Sequence, residues 1–452
     1  MRVLLPTFLV LISLGGCAFK EVARQQALLQ EGCTISGRIA DAGDGKGSIS
    51  VGLYKVRLVD GEAADAELAE QSWYEKPGQW AFYAKPGRYQ VIAFRDQNGD
   101  GQWQPGEPWG AVQDLEEFNC PRGGVLNRLT LDLKRDLPED PELKGMLAHP
   151  EAGAQPVSLG GVLARGESTQ LRDARWEAQT GAQGLWRPMD FLTQGKAGIY
   201  FLEPYDARRI PVLLVHGING TPGNFAAMAD HLDKKRFQLW AAAYPSGLAI
   251  EGSARILSRL LQELQVRYRF KQMIVVAHSM GGLLTRSMLL DLAASGSSIK
   301  VRQVFTLATP WTGDDRAAMG VRHAPAVIRS WRDMASGSDF LQGLFHLPSG
   351  AERSWPAGAR HYLLFAYDRA DSWSAESSDS VIPLRSQLGE AAQRQAYQLR
   401  GYNATHVGIL NDAAVWRDLN GWMAETPAEA AQPTSLRRNT QFRSSEAVGS
   451  KR

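Results

Sequence analysis

Ser279 stands where a hydroxyl can be made into a nucleophile. It lies in Ile274-Val275-Val276-Ala277-His278-Ser279-Met280-Gly281-Gly282, between a short apolar run and a helical pattern opened by Leu283-Leu284. A buried strand turning sharply into a helix presents the serine at the bend, as in a nucleophile elbow. Small residues are needed two positions either side, because the turn brings backbone segments too close for larger side chains. Gly281 meets that need, and Ala277 stands where glycine is usual. Read alone, the pentapeptide is equally consistent with a chance A-x-S-x-G at a strand–helix junction. The chemistry it would support is acyl transfer through a covalent intermediate. A serine becomes reactive only when a base takes its proton and an acid orients that base.

The elements able to position such a serine are legible on both sides. Residues 198–202, 210–215 and 237–243 read as strands, the second fully buried and ending in His216-Gly217-Ile218-Asn219-Gly220. Residues 254–269 carry Ile256, Leu257, Leu260, Leu261 and Leu264 at helical spacing, which is core packing against a sheet. A second helix over 283–294 is closed by Gly296, and strands follow at 304–308 and 361–367. This alternation predicts a mostly parallel sheet flanked by helices.

The two segments VLLVHGING (212–220) and VVAHSMGG (275–282) together resemble the α/β-hydrolases, in particular bacterial lipases and esterases and the related lipid-anchor deacylases. The resemblance covers about residues 198–424. It implies that the backbone N–H groups of Ile218 and Met280 form an oxyanion hole, and that His216 is a structural residue of its turn. It also implies the chain order serine, acid, histidine. Of the histidines after the elbow, His323 and His346 fall in a Trp-, Gly- and Ser-rich insertion at 311–360 with the place of a cap or lid, and His361 begins a strand. His406 lies in a loop before a final helix, which matches the family's base. Asp379, in Ser377-Ser378-Asp379-Ser380-Val381-Ile382-Pro383, resembles the lipase D-G-x-V segment with Ser380 replacing glycine; Asp368, directly after a strand, is its rival. The expected triad is Ser279, Asp379 and His406.

The rest of the chain supplies address and context. With 452 residues, 44% hydrophobic and 22% charged, it has the composition of a globular protein of two to three domains. A net charge of +2 without a long basic run gives no argument for nucleic acid. Arg2 and the apolar stretch 3–14 suit a signal peptide (residues 1–16), and Leu14-Gly15-Gly16-Cys17 resembles the bacterial lipobox, which implies lipidation of Cys17 and an anchor linker over 17–32. Ala18 after the cysteine, by resemblance to sorting rules in diderm bacteria, implies the outer membrane. The expected partner is therefore a membrane, reached through lipid with no transmembrane helix elsewhere. In an exported protein Cys33 and Cys120 can form a disulfide, two free thiols being the alternative.

Residues 33–134 read as an all-β domain from runs at 34–39, 49–58, 79–83, 89–95 and 126–133, a small sandwich similar to prealbumin-like modules. Its loop Asp96-Gln97-Asn98-Gly99-Asp100-Gly101 with Glu107 fits calcium-loop spacing, with Asp96, Asn98, Asp100 and Glu107 as oxygen ligands. An Asx-rich hairpin bonded to its own backbone is the alternative reading. Proline-punctuated residues 135–185 read as a connector, apart from a strand at 159–164, and 186–424 as the catalytic domain. Residues 425–452 are expected to be disordered. The function expected is hydrolysis of carboxylic esters, lipids among them, with no cofactor in catalysis and any calcium structural. An acyltransferase with the same triad, or a binding protein on a hydrolase scaffold, are the alternatives.

Overall fold

The computed structural model describes residues 5–40, 45–59, 62–134, 158–369 and 377–425. The expectations placed on residues 1–4, 135–157 and 426–452 lie outside them, as do those on the side chains of 5–17, Cys17 included.

Short alternating strands build the N-terminal region. They are β1 (Cys33–Ile39), β2 (Ser48–Val59), β3 (Glu62–Tyr74), β4 (Gln79–Ala84), β5 (Gly87–Asp96), β6 (Trp109–Ala111), β7 (Phe118–Cys120) and β8 (Val125–Leu131). They form a three-stranded sheet, β4-β1-β8, and a five-stranded arrangement in which β7 also pairs with β5 along the path β3-β2-β5-β6. In β4 the inward positions Trp80, Phe82 and Ala84 are buried and alternate with outward ones, the period-two pattern of a half-buried strand. These residues share one core with Ile35 of β1 and with Val51, Leu53, Tyr89 and Val91 of the second sheet. Cys33 and Cys120, both fully buried, are joined by the expected disulfide. The outer face of the larger sheet carries a second small cluster, where Trp103 and Trp109 cover Tyr54, Ile92 and Phe94.

The C-terminal region is one eight-stranded sheet. Its strands are β9 (Ala164–Ser168), β10 (Gly198–Phe201), β11 (Ile210–Val215), β12 (Phe237–Ala243), β13 (Gln272–His278), β14 (Lys300–Leu307), β15 (Arg360–Tyr367) and β16 (Gln398–Asn403). The order is β16-β15-β14-β13-β11-β12-β10-β9, parallel throughout except that β10 runs antiparallel to β12. Apolar clusters cover both faces, which is why strands such as β11 and β13 read as unbroken hydrophobic runs. The sheet starts earlier than the expected boundary at 186. β9 and the helix Ala178–Trp186 fall inside the stretch read as connector. The strand Ala-Arg-Gly-Glu-Ser pairs on one side only, so an edge position asked for little apolar character.

The helices used below are α1 (Leu5–Glu31), α2 (Ala178–Trp186), α3 (Pro188–Thr193), α4 (Ala226–His231), α5 (Ile250–Tyr268), α6 (Met280–Ala294), α7 (Asp315–His323), α8 (Arg329–Met334), α9 (Asp339–Phe345) and α10 (Ala413–Ala424). Residues 17–31 of the segment expected as a linker belong to α1, with Val22 and Gln25 buried against the C-terminal region. Several of its polar residues, Arg24, Gln25 and Gln26 among them, bond to groups of the C-terminal region, a role that polarity alone does not reveal. No helix among the described residues is long and apolar enough to cross a membrane. α7, α8 and α9 occupy the 311–360 insertion.

The two regions meet through buried charge. Arg259 of α5 donates to Glu70 Oε1 and to the Ala81 carbonyl, both at 2.8 Å, and Ser158 also bonds Glu70. Glu70 is 3% exposed and Arg259 only partly so, so the buried carboxylate depends on its partner staying in place.

Candidate active site

β13 ends at His278, α6 begins at Met280, and Ser279 alone makes the turn, with φ 55° and ψ −130°. A non-glycine residue at such angles is strained and persists only because its surroundings fix it. Here the Ser279 N–H donates to the Leu307 carbonyl at 2.8 Å, and the Ser279 carbonyl accepts from Gly282 N–H at 2.9 Å. Gly281 has no room for a side chain, since a Cβ would lie 2.5 Å from both the Val215 and His216 carbonyl oxygens. Ala277, by contrast, is fully buried within β13 without needing the freedom of glycine.

His406 arrives on the loop after β16. Its Nε2 lies 2.9 Å from Ser279 Oγ, and its Nδ1 lies 2.7 Å from Asp379 Oδ2. The other Asp379 oxygen accepts the N–H groups of Val381 and Ile382, at 3.0 and 2.6 Å. Asp379 is fully buried, and its own carbonyl accepts the His406 N–H at 2.8 Å, so acid and base are tied by backbone as well as side chain. Ile382 is buried, and Gln387 donates to its carbonyl at 3.0 Å, which seats the Asp379 loop. The rival Asp368 accepts the Ser380 hydroxyl at 2.8 Å and lies outside the His406 line. Ser380 has φ 72°, which accounts for the glycine preferred there in the motif it resembles.

The His-Gly turn presses on Ser279. A Cβ on Gly217 would come within 2.7 Å of Ser279 Cβ. Among the described residues neither the Ile218 nor the Met280 N–H donates to a protein acceptor. His216 is buried, stacks on Tyr244 at 4.2 Å, and donates from Nδ1 to the Gly217 carbonyl at 2.9 Å. Burial pushes its pKa down to about 4, so it is neutral and structural at ordinary pH.

One member of the site escaped the sequence reading. His278, inside the elbow itself, donates from Nε2 to the His406 carbonyl at 2.8 Å. Burial and then the neighbouring His406 push its pKa down to about 3, so it stays neutral and holds the base's backbone. The other described histidines bond or stack elsewhere: His323 and His346 are exposed on the insertion, His231 stacks on Trp416, and buried His361 bonds Thr306 Oγ1 at 2.8 Å beside Trp355.

The calcium-type loop is arranged around its own backbone. Asp96 accepts the N–H groups of Gly99 and Gly101, at 2.6 and 2.9 Å, and Glu107 accepts those of Gln97 and Gln104, at 2.7 and 3.0 Å. Asn98 and Asp100 bond each other at 2.9 Å. Among the described residues no group of three or more His, Cys, Asp or Glu side chains is placed to hold a metal ion. In this arrangement all four side chains bond within the loop itself, as in the self-bonded hairpin.

Residues 210–325 match a protein family described as having the alpha/beta hydrolase fold. That match and the sheet order define an α/β-hydrolase fold for the C-terminal region. Among solved structures, the mature form of a Bacillus licheniformis lipase is similar at 16% identity, covering 50% of this chain and 97% of that one, with a TM-score of 0.40. Aspergillus fumigatus lipase B is similar at 13% identity over 49% of this chain and 54% of its own, TM-score 0.36. A thermophilic esterase from Thermogutta terrifontis is similar at 16% identity over 47% and 89%, TM-score 0.30. Comparison with curated proteins gives no match.

Proposed function

We propose that the protein is a serine hydrolase of carboxylic esters, of lipase or esterase type. The observation that carries this reading is the unbroken relay from Ser279 Oγ through His406 to Asp379, at 2.9 and 2.7 Å, at the tip of a strained elbow. His406 Nε2 takes the Ser279 proton as Oγ attacks the acyl carbonyl. The negative charge that develops on the carbonyl oxygen falls to the N–H groups of Ile218 and Met280, which donate to no protein acceptor among the described residues. His406 returns its proton to the leaving alcohol; it then takes one from water as the water oxygen attacks the acyl carbonyl, and hands it to Ser279 Oγ as the free acid departs. Asp379 fixes the imidazole's orientation throughout. This scheme uses no cofactor.

The same reading places the protein outside the cytoplasm as a bacterial lipoprotein, anchored by lipid on Cys17 and facing an outer membrane. The buried Cys33–Cys120 disulfide supports an oxidising compartment. The N-terminal β region is read as a prealbumin-like sandwich, supported by the single core its two sheets share.

The test is hydrolysis of p-nitrophenyl butyrate by the purified protein and by Ser279→Ala. The native protein is expected to turn over, and the variant to lose at least about 10³-fold in kcat. An alanine variant with full activity sinks the assignment. Adding an acceptor alcohol and weighing ester product against free acid separates hydrolase from acyltransferase.

A further inference from the structure

α1 is fixed against the mouth of the candidate active site. Val22 packs with Leu185 of α2 and with Ile328, and Ile218, Trp186 and Trp331 close around them. Phe19 stands edge-on to Trp186 at 6.0 Å, and Trp186 edge-on to Trp331 of α8 at 6.0 Å. Gln25, 2% exposed, accepts the Met189 and Asp190 N–H groups at the start of α3, at 2.8 and 3.1 Å, and donates to Asp190 Oδ1 at 2.9 Å. Gln26 donates to the Val327 carbonyl at 2.7 Å. A spacer that merely joined an anchor to a domain would need none of these bonds. A buried glutamine satisfied at both ends of its amide fixes the roll of the helix as well as its position.

What precedes this docked segment is apolar: residues 3–14, then Cys17. Measured along a helix axis, Cys17 precedes Phe19 by about 3 Å and Val22 by about 8 Å. Whether the anchor is lipid on Cys17 or the apolar stretch itself, it leaves the protein beside the Ile218 flank of the nucleophile. On the other flank three large apolar side chains face solvent: Met319 of α7, Val381 and Val407, at 55%, 38% and 52% exposure. Val381 and Val407 follow Asp379 and His406 closely in sequence, and Arg316 of α7 donates to the Val381 carbonyl at 2.6 Å, holding the helix against the acid's loop. Ser279 is therefore bracketed by an anchor on one side and exposed apolar groups on the other.

We propose that this face lies on a lipid bilayer and that the enzyme takes acyl esters embedded in the membrane that anchors it. The proposal rests on the ester-hydrolase reading and names its substrate class. A lipid anchor fixes one point of the protein to the bilayer and leaves its tilt free, so a second apolar contact has a physical role in seating the site. With α1 as a rigid strut, the cleft keeps one height and one tilt above the lipid, and a long acyl chain reaches Ser279 without crossing water.

The test uses the full chain reconstituted in vesicles of phosphatidylethanolamine and phosphatidylglycerol. An insertion of about twelve Gly and Ser residues between Ala18 and Phe19 frees the docked helix from its anchor without touching its contacts. Hydrolysis of soluble p-nitrophenyl butyrate is expected to stay within about twofold, while that of a long-chain ester in the same vesicles falls roughly tenfold, because the effective concentration of site over substrate drops. A nitroxide on Met319→Cys is expected to report lipid contact. A vesicle rate unchanged by the insertion, or a label reporting water, overturns the proposal. Native protein inactive on the soluble ester would instead overturn the hydrolase reading, before any variant is made, with the label still reporting on membrane contact.

Discussion

At the scale of residues, the site separates two carboxylates that the sequence left as rivals. Asp379 bonds the His406 ring and is held by two backbone amides, whereas Asp368 accepts the Ser380 hydroxyl. Asp379→Asn is therefore expected to lower kcat on a soluble ester by about 10³–10⁴, the loss typical of an orienting acid, and Asp368→Asn to leave it within about threefold. Equal losses in the two variants would reject this assignment. Gly281→Ala should destabilise the fold by about 2–4 kcal/mol in urea melts, because its Cβ would run into two backbone oxygens that cannot move independently. Ser279, Asp379 and His406 could be picked out because each sits in a short motif and the motifs come in a fixed order. His278 could not: its bond spans 128 residues, and nothing in Ala-His-Ser distinguishes a histidine that holds a distant carbonyl from one that merely fills a strand.

Elements were legible where burial and local pattern agreed. β11 and β13 read as strands because both faces are covered. β3 passed unseen. Its Glu-Ala-Ala-Asp-Ala-Glu-Leu-Ala-Glu is built from helix formers, and only the long antiparallel pairing with β2 makes it a strand, so tertiary context overrides propensity. The docking of α1 was equally hidden, since its polar residues look alike whether they meet water or α3. Two predictions belong to this scale. His216, His278 and His361 are all buried with pKa values pushed below that of a free histidine. The unfolded chain binds protons at these sites that the native state refuses, so stability is full above about pH 6.5 and falls as the pH drops below it. Between pH 7 and 5 the loss should reach at most about 2 kcal/mol per histidine, read as a falling melting temperature that flattens in a His361→Gln variant. In the hairpin loop, Asp96 and Glu107 already accept backbone N–H groups, so adding calcium or a chelator should shift the melting temperature by less than about 1 °C. A rise of several degrees with calcium would show that the loop rearranges to bind it.

Over the whole molecule, the disulfide closes a separation of 87 residues across the β region. Removing it, by reduction or by Cys33→Ala with Cys120→Ala, should cost about 4–5 kcal/mol and lower the melting temperature by calorimetry. An unchanged transition would mean that the core between the sheets suffices alone. The contact between Glu70 and Arg259 carries a different consequence. Glu70 belongs to the β region and Arg259 to the helix that packs beneath the catalytic sheet, and the bond between them is sheltered from solvent. A shortened protein beginning after the β region would keep Glu263 at 3.7 Å from Arg259 but lose Glu70, and would expose a helix face shaped to be covered. The catalytic half is thus not a portable cassette. Whoever trims or transplants it must redesign the underside of that helix, and homologous exchange at this boundary would have to carry both partners or neither.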